Sequence, residues 1–260
     1  MFLFLNKMRA VCPKAARAMG YLDEATGIEG RFRRVGAAWK EHIEHCHKII
    51  QQGMANCSGH RTVAVLGAGL IHDVPLKELS ERFQKVLLVD ICHPVASRKQ
   101  YSHYPNVEEY VADVTESIEL LYKLPNPEQP FHCPIPHLLR DREDLDLTIS
   151  INLFSQLPCM PMNFLKKWGY GRPWMEDFAH KVMQRHVDWL RLLPGIKVLI
   201  TDIERQMLDQ TNRIIERLDL TYGVSLPLAD TEWIWKLAPI PEVSREYHYF
   251  RKVVGYSNLP

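Results

Sequence analysis

Five short apolar runs, separated by helix-like stretches, restrict the fold of this chain more than any other feature. Each run has four or five residues, and together they are Thr62–Leu66, Val86–Val89, Glu109–Ala112, Leu147–Ile151 and Ile196–Ile200, of which Glu109–Ala112 has the weakest strand pattern. Runs of this kind predict strands that are buried on both faces, and the helical stretches between them predict parallel pairing. We therefore expect an α/β fold with a mostly parallel sheet and helices on both of its faces.

The C-terminal part of the chain departs from this alternation. Trp233–Leu237 and Tyr247–Val254 are joined by a loop that is too short for a helical crossover, so they should pair antiparallel as a hairpin at the sheet edge. With the five earlier runs they make a seven-stranded sheet. The stretch Asp209–Leu218, before the hairpin, is expected to be a helix.

The chain divides in two at about residue 58. Apolar residues between Arg33 and Met54 recur every three or four positions, which predicts an amphipathic helix. We expect residues 1–58 to form an N-terminal helical extension that closes the binding edge of the sheet, and residues 59–260 to form the α/β domain. The apolar segment Met1–Leu5 is too short for the core of a signal peptide.

The composition argues against several classes of protein. The 32 Lys and Arg residues balance 31 Asp and Glu residues, so a net charge of +1 gives no electrostatic case for nucleic acid as a partner. No apolar run approaches the ~18 residues of a membrane-spanning helix. The six cysteines contain no CxxC pair and are expected to be reduced thiols of a cytoplasmic protein. A homodimer is kept as a hypothesis.

The most informative segment is the glycine turn Gly67-Ala68-Gly69, which follows the first predicted strand. Closely spaced glycines let a ligand approach the backbone. Asp90 ends the second strand 21 residues after Gly69, where a carboxylate can accept both hydroxyls of a ribose, and Asp113 ends the third strand at the same edge. The alternative is that the glycines only make a tight turn and that Asp90 caps a helix.

The sequence around the turn favours a nucleoside ligand without phosphates. His72 occupies the third position of GxGxxG, where a dinucleotide site prefers a small residue, and the chain contains no GxxxxGK[ST] sequence. A nicotinamide dinucleotide is therefore the less favoured ligand.

This order of strands, glycine turn, terminal aspartates and closing hairpin resembles the class I S-adenosylmethionine-dependent methyltransferase superfamily over residues 60–260. The resemblance implies a Rossmann-like domain with S-adenosyl-L-methionine as cofactor, its methionyl part at the glycine turn, its ribose at Asp90 and its adenine at Asp113. The implied cofactor-binding residues are Gly67, Ala68, Gly69, Asp90, Ile91, Asp113, Val114 and Asn152. Two features depart from the family pattern: Val65-Leu66 replaces the acidic residue that often precedes the turn, and the Asn/Asp-Pro-Pro-Tyr/Phe motif is absent.

In this superfamily the loop after the fourth strand faces the transferable methyl group, which makes Asn152, Ser155 and Gln156 candidates for positioning the acceptor. The alternative is a polar strand end that satisfies only its own backbone. If the acceptor must lose a proton, His72 is the first candidate for the base because it lies in the cofactor loop. The predicted catalytic residues are therefore His72, Asn152 and Gln156. The other candidate histidines are His93, His103, His132 and His137.

Two further segments have less specific signals. Aromatic residues and glycines alternate in Lys166–Trp174, which is typical either of a lid over the substrate or of packing onto the following helix. His42, His45, Cys46 and His47 crowd one predicted helix, and His42 with Cys46 could hold two metal ligands on one face. Because no second cluster supplies further ligands, we predict no metal site.

The sequence thus predicts an enzyme that transfers the methyl group of its cofactor in line to an O, N, S or C nucleophile of a small molecule. Three alternatives stay open. They are aminocarboxypropyl transfer or cyclisation with release of methylthioadenosine, an NAD-dependent oxidoreductase, and a binding protein whose site has decayed.

Overall fold

The structure, a computed structural model, describes residues 11–124 and 131–260, so the segment Met1–Leu5 lies outside the described residues. Its helices are α1 (Lys14–Met19), α2 (Tyr21–Val35), α3 (Lys40–Asn56), α4 (Leu76–Arg82), α5 (Val95–Tyr101), α6 (Ile118–Tyr122), α7 (Cys159–Lys166) and α8 (Arg172–Leu192). Its strands are β1 (Thr62–Leu66), β2 (Lys85–Asp90), β3 (Val107–Val111), β4 (Leu145–Ile151), β5 (Ile196–Asp209), β6 (Ile214–Asp219), β7 (Thr231–Ala238) and β8 (Tyr247–Tyr256). Short 3-10 helices lie at Gly36–Trp39 and Phe154–Gln156.

The strands form one sheet in the order β3-β2-β1-β4-β5-β8-β7. Strands β1 to β5 pair in parallel along this order, and β8 runs antiparallel between β5 and β7. Val65 of β1 is in register with Leu88 of β2 and with Ile149 of β4, so the carboxyl ends of these three strands meet at one edge. The predicted Rossmann-like α/β fold with a C-terminal antiparallel hairpin is confirmed.

The prediction of a helix at Asp209–Leu218 is wrong, and the sheet has eight strands instead of seven. Strand β5 continues to Asp209, and the chain then reverses into β6, which pairs with β5. The Asp209 carboxylate accepts hydrogen bonds from the N–H groups of Thr211 (2.9 Å) and Arg213 (3.0 Å), which fixes the reversal. Pairing with a neighbouring strand outweighs the helical pattern of the sequence here.

Two apolar cores cover the two faces of the sheet. Val63 and Val65 of β1 belong to one core, and Ala64 and Leu66 belong to the other. The first core contains the buried face of α3, and the second contains that of α8. Both faces of the sheet are therefore closed by helices, and the ligand-accessible region lies at its edge.

No helix in the described ranges is long and apolar enough to cross a membrane.

The helix predicted at Arg33–Met54 is divided in the structure. Helix α2 ends at Val35, the 3-10 helix Gly36–Trp39 follows, and α3 begins at Lys40. The indole N–H of Trp39 donates to the Leu237 carbonyl (2.9 Å), which joins this break to β7. The break therefore brings α2 and the start of α3 to the same end of the sheet.

The expectation that all six cysteines are reduced thiols is wrong for one pair. Cys12 and Cys92, 80 residues apart in the sequence, form a disulfide. The other four are free: Cys46, Cys57, Cys133 and Cys159. An antiparallel bridge between Val11 and His93 brings the two paired cysteines together. Cysteine spacing along the sequence does not reveal a contact of this range.

Gly53 lies where α3 approaches β5 most closely. A Cβ atom at this position would overlap Val198 Cγ2 and lie 3.2 Å from the Ser257 carbonyl oxygen. Because Val198 is fully buried, the overlap can be relieved only by a shift of the helix against the sheet. Replacing Gly53 with alanine should therefore lower the free energy of unfolding by about 1–3 kcal/mol, as overpacked cores do, in urea denaturation.

Gly27, inside α2, is the matched control because no atom lies within 4 Å of its Cβ position. Gly27→Ala should raise the free energy of unfolding by about 0.5–1 kcal/mol, since alanine loses less conformational entropy in a helix. A Gly53→Ala variant as stable as Gly27→Ala would contradict the close packing of α3 on β5.

Candidate active site

A cavity of about 330 Å³ opens at the carboxyl ends of β1, β2 and β4. The residues predicted to bind the cofactor or the acceptor that line this cavity are Gly67, Gly69, His72, Asp90, Ile91, Asp113, Val114, Asn152, Ser155 and Gln156. Ala68 is fully buried and is not part of the lining. Helices α2 and α3 and the break between them contribute Tyr21, Ile28, Trp39 and His42. The cavity thus lies where sequence reasoning expected a ligand.

The glycine turn shapes the cavity beside Asp90. Gly67 has a φ of 84°, which residues with a side chain rarely adopt, and a Cβ there would lie 2.9 Å from the Ile151 carbonyl oxygen. A Cβ on Gly69 would lie 3.0 Å from Asp90 Oδ2. The close approach of β4 and of Asp90 therefore requires glycine at both positions.

Asp90, the last residue of β2, presents its carboxylate to the cavity. Its Oδ2 accepts a hydrogen bond from the Gly69 N–H (2.8 Å), and its Oδ1 accepts one from the Cys92 N–H (3.0 Å). Each oxygen keeps one lone pair for a ligand. Burial raises the pKa of Asp90, because it disfavours the charged carboxylate. Hydrogen-bond donors from a ligand would counteract this effect and stabilise the charged form. The arrangement leaves room for two hydroxyl donors.

Asp113 has a different environment. Its Oδ1 accepts hydrogen bonds from the N–H (2.9 Å) and the hydroxyl (2.7 Å) of Thr115, and its Oδ2 accepts from the N–H groups of Ser117 and Ile118 (both 2.8 Å). These four bonds occupy the carboxylate and fix the turn before α6. Asp113 and the neighbouring Val114 both line the cavity, and their contact with an adenine stays a prediction.

Asp73, Asn152 and His42 form a hydrogen-bonded group in the cavity wall, and sequence reasoning did not single out Asp73. The Asn152 amide nitrogen lies 2.6 Å from Asp73 Oδ2 and 3.0 Å from His42 Nε2. Trp233 Nε1–H donates to His42 Nδ1 (3.0 Å), and burial lowers the pKa of His42 to about 3. His42 is therefore neutral, with its single proton on Nε2, facing Asn152.

The neighbours of this group share its hydrogen bonds. The Asn152 amide nitrogen donates to Asp73 Oδ2 (2.6 Å). Burial raises the pKa of Asp73, and the hydrogen bond from Asn152 opposes that effect. His42 Nε2 also lies 3.5 Å from Cys46 Sγ, which is a weak acceptor for its proton. Asn152 Oδ1 is a buried oxygen with no hydrogen-bond partner among the described residues.

The same protons bear on the metal hypothesis. His42, Cys46 and Asp73 offer ligand atoms within 4.8 Å of one another. A metal on His42 Nε2 needs a lone pair there, whereas the Trp233 hydrogen bond places the proton on that nitrogen. Burial also raises the pKa of the Cys46 thiol, which opposes the thiolate that a metal requires. These protons disfavour a metal, and the absence of a metal site stays a prediction.

His72, the predicted base, is held by α2. Its Nε2 lies 2.9 Å from Glu29 Oε2, and its ring stacks on Phe32 with the ring centroids 3.7 Å apart. Because Glu29 engages Nε2, only Nδ1 could take a proton from a methyl acceptor. The role of His72 as a base stays a prediction. The four other candidate histidines do not appear in the described lining: His93 is buried, and His103, His132 and His137 are exposed.

The residues after β4 contact the end of the sheet formed by β5 and β8. The Ser155 hydroxyl donates to Asp202 Oδ1, and Arg251 Nε lies 3.1 Å from Asp202 Oδ2. Gln156 is exposed, and its amide donates to the Asn152 carbonyl (2.8 Å). Asp202 and Arg251 both line the cavity, although sequence reasoning singled out neither. The one available signal was that Asp202 follows the fifth apolar run.

Aromatic and aliphatic side chains make the remaining wall of the cavity. The rings of Trp39 and Trp235 meet edge to face, with their centroids 5.0 Å apart, and Trp235 stacks on His42 at 4.0 Å. Ile43 and Leu237 complete this apolar wall. An organic ligand beside Asn152 would therefore meet flat, apolar surfaces.

The predicted lid does not reach the cavity. Residues 166–174 are not part of the described lining. The Trp174 ring instead stacks on Phe178, with the ring centroids 5.7 Å apart, and contacts Tyr170 edge to face. The alternative interpretation, packing onto the following helix, applies to this segment.

No family model and no curated protein sequence matches the chain. Among the solved structures that it resembles is the N-methyltransferase NodS from Bradyrhizobium japonicum WM9 in complex with S-adenosyl-l-homocysteine, with 9% identity, a TM-score of 0.36 and coverage of 81% of this chain and 85% of that chain. A second is the 1,6-didemethyltoxoflavin-N1-methyltransferase from Burkholderia thailandensis, with 12% identity, a TM-score of 0.34 and coverage of 90% and 89%. A third is the 23S rRNA methyltransferase ErmE, with 13% identity, a TM-score of 0.31 and coverage of 80% and 67%.

All three of these proteins are methyltransferases by name. Identities and TM-scores this low carry no argument about activity or substrate. The function proposed below therefore rests on the residues of the cavity.

Proposed function

We propose that this protein is an S-adenosylmethionine-dependent methyltransferase that acts on a small molecule. The observation that carries the proposal is Asp90, whose carboxylate stands beside the glycine turn with one lone pair free on each oxygen. Two adjacent hydroxyls of a ribose match this pair of acceptors, and the carboxyl ends of parallel strands are the usual ligand edge of such sheets.

The charges of the lining favour a cationic nucleoside over a dinucleotide. Besides Asp73, four carboxylates and two guanidinium groups line the cavity: Glu24, Asp90, Asp113, Asp202, Arg31 and Arg251. On the cofactor side, Asp90 and Asp113 stabilise a sulfonium ion and repel a diphosphate, whereas both guanidinium groups lie on the side of β5 and β8. His72 also lines the cavity where a dinucleotide site prefers a small residue. Both observations count against the NAD-dependent alternative.

The acceptor would lie on the β4 and β5 side of the cofactor, between Asn152 and the apolar wall of Trp39 and Trp235. A sulfonium is already activated, so the protein's main contribution is to align the nucleophile, the methyl carbon and the sulfur. Walls from α2 and α3 enclose this region, which suits a small molecule. Methyl transfer would yield S-adenosylhomocysteine and the methylated acceptor.

Calorimetric titration of the full chain tests the proposal. We expect S-adenosylmethionine and S-adenosylhomocysteine to bind and NAD to show no binding, because only the adenosyl ligands pair a ribose with the free acceptors of Asp90 without introducing a diphosphate. Thermal denaturation gives a second readout, since a ligand at 100 times its Kd stabilises the fold by about 2.7 kcal/mol. Stabilisation by NAD and none by either adenosyl compound would overturn the proposal.

A further inference from the structure

Two guanidinium groups line the cavity on the side of β5 and β8. Arg251 belongs to β8, and Arg31 reaches the cavity from α2. Their side chains are 22% and 27% exposed. The positive charge of Arg31 lowers the pKa of Arg251, so the two groups act on each other through space.

Each of the two side chains keeps a buried N–H without a partner. Arg31 Nε and Arg251 Nη1 have no hydrogen-bond partner among the described residues. Glu242 Oε1 lies 3.7 Å from Arg31 Nε, which is an ion pair but too long for a hydrogen bond. A buried donor left unsatisfied is costly, and these two N–H groups show that the described residues do not fully satisfy the two guanidinium groups.

The protein carboxylate at this place is already engaged. Asp202 Oδ1 accepts from the Ser155 hydroxyl, and Oδ2 pairs with Arg251 Nε at 3.1 Å. Asp202 therefore holds one edge of the guanidinium and leaves Nη1 for another group. Burial and the charges of Arg205 and Arg31 lower the pKa of Arg251, against the effect of Asp202. Asp202 thus offsets only part of the effect that burial and the neighbouring positive charges have on Arg251.

The position of the pair separates it from the proposed cofactor contacts. Asp90 and the glycine turn follow β2 and β1, whereas Asp202 and Arg251 belong to β5 and β8, on the far side of β4. We propose that the methyl acceptor carries an anionic group, a carboxylate or a phosphate monoester, which the partly exposed guanidinium groups of Arg31 and Arg251 bind. The identity of the ligand as a methyl acceptor rests on the proposed function. The presence of an anion site does not depend on it.

Small aromatic probes of matched shape test this site. We would measure the binding of benzoate, phenyl phosphate, neutral benzamide and benzylammonium to the full chain by NMR titration, with and without S-adenosylhomocysteine. We expect at least one of the two anions to bind about tenfold or more tightly than benzamide, because each charge-assisted hydrogen bond is worth that factor. The better of the two anions identifies the group as a carboxylate or a phosphate.

Arg251→Met should remove this preference, with a loss of about tenfold or more in anion affinity, while S-adenosylhomocysteine affinity changes by less than about twofold. Arg31→Met is the second variant, in case Arg251→Met does not fold, and should show the same selective loss. Arg172→Met is the matched control, because Arg172 pairs with Glu176 and is not part of the described lining.

Two results would overturn the anion site: benzamide or benzylammonium binding as tightly as the anions, or an anion preference that both arginine variants retain. A protein that fails to bind S-adenosylhomocysteine yet shows an Arg251-dependent anion preference would refute the proposed methyl transfer and leave the anion site standing. The two proposals therefore fail separately.

Discussion

Asp90→Ala should weaken S-adenosylhomocysteine binding by about tenfold to a hundredfold, the effect of losing charge-assisted hydrogen bonds worth about 1.5–3 kcal/mol. The Gly69 and Cys92 N–H groups orient this carboxylate, because each donates a hydrogen bond to one of its oxygens. The second lone pair of each oxygen is left for the ligand. Isothermal titration of wild type and variant gives the ratio directly. The loss should appear as a weaker affinity with unchanged stoichiometry, because the rest of the cavity is intact.

Two variants make the Asp90 result interpretable. Asp90→Asn keeps the shape but exchanges one acceptor oxygen for a donor, so its affinity should lie between those of wild type and alanine. Asp144→Ala is the control, since Asp144 pairs with Arg142 just before β4 and is not part of the described lining. Unchanged affinity in Asp90→Ala would remove Asp90 from the site and with it the proposed ribose contact.

The free energy of unfolding should fall steeply between pH 7 and pH 5 because of His42 and His186. Burial lowers the pKa of each to about 3, whereas both titrate near 6.5 in the unfolded chain. The unfolded state therefore binds protons in this window and the folded state does not, so stability is lost as the pH falls. Linkage gives about 2 kcal/mol per histidine over these two pH units. Urea denaturation at both pH values measures it.

His186→Gln isolates half of this effect. His186 Nε2 lies 2.9 Å from the Ser150 hydroxyl, and glutamine retains a polar group at that position without a proton to gain. The variant should lose about 2 kcal/mol less than wild type between pH 7 and pH 5. Carboxylates that titrate in the same window contribute equally to both proteins. An identical pH dependence in the two proteins would contradict a buried, neutral His186.

The sheet and its ligand edge were predictable because they depend on local patterns. The runs that became β1, β2 and β4 are mostly apolar, as is typical of strands buried on both faces, and they lie close to their predicted positions. Gly67 and Gly69 predicted a close approach to the backbone, and in the structure Ile151 and Asp90 lie close to these two glycines. Residue type and spacing were sufficient for these features.

The site residues that were missed and the helix that was wrongly predicted depend on contacts between segments that are distant in the sequence. Nothing near Arg251 indicates that β8 will bring it to the cavity, and nothing near Asp73 indicates that α3 will place His42 beside Asn152. Pairing with β5 turned the predicted helix Asp209–Leu218 into part of a hairpin. Asp113 lies at the predicted edge, where its own loop donates hydrogen bonds to its carboxylate, and its role toward an adenine stays a prediction. The local sequence does not show which hydrogen-bond donors a carboxylate will meet in the folded protein.

The cavity wall is drawn from nearly the full length of the chain, from Tyr21 in α2 to Arg251 in β8. A polypeptide in which β8 has not yet joined the sheet lacks one side of this wall. Any ligand that depends on both sides can then bind only after β8 has taken its place. Its binding would favour the fully folded domain over partly folded forms, because it links α2 to β8.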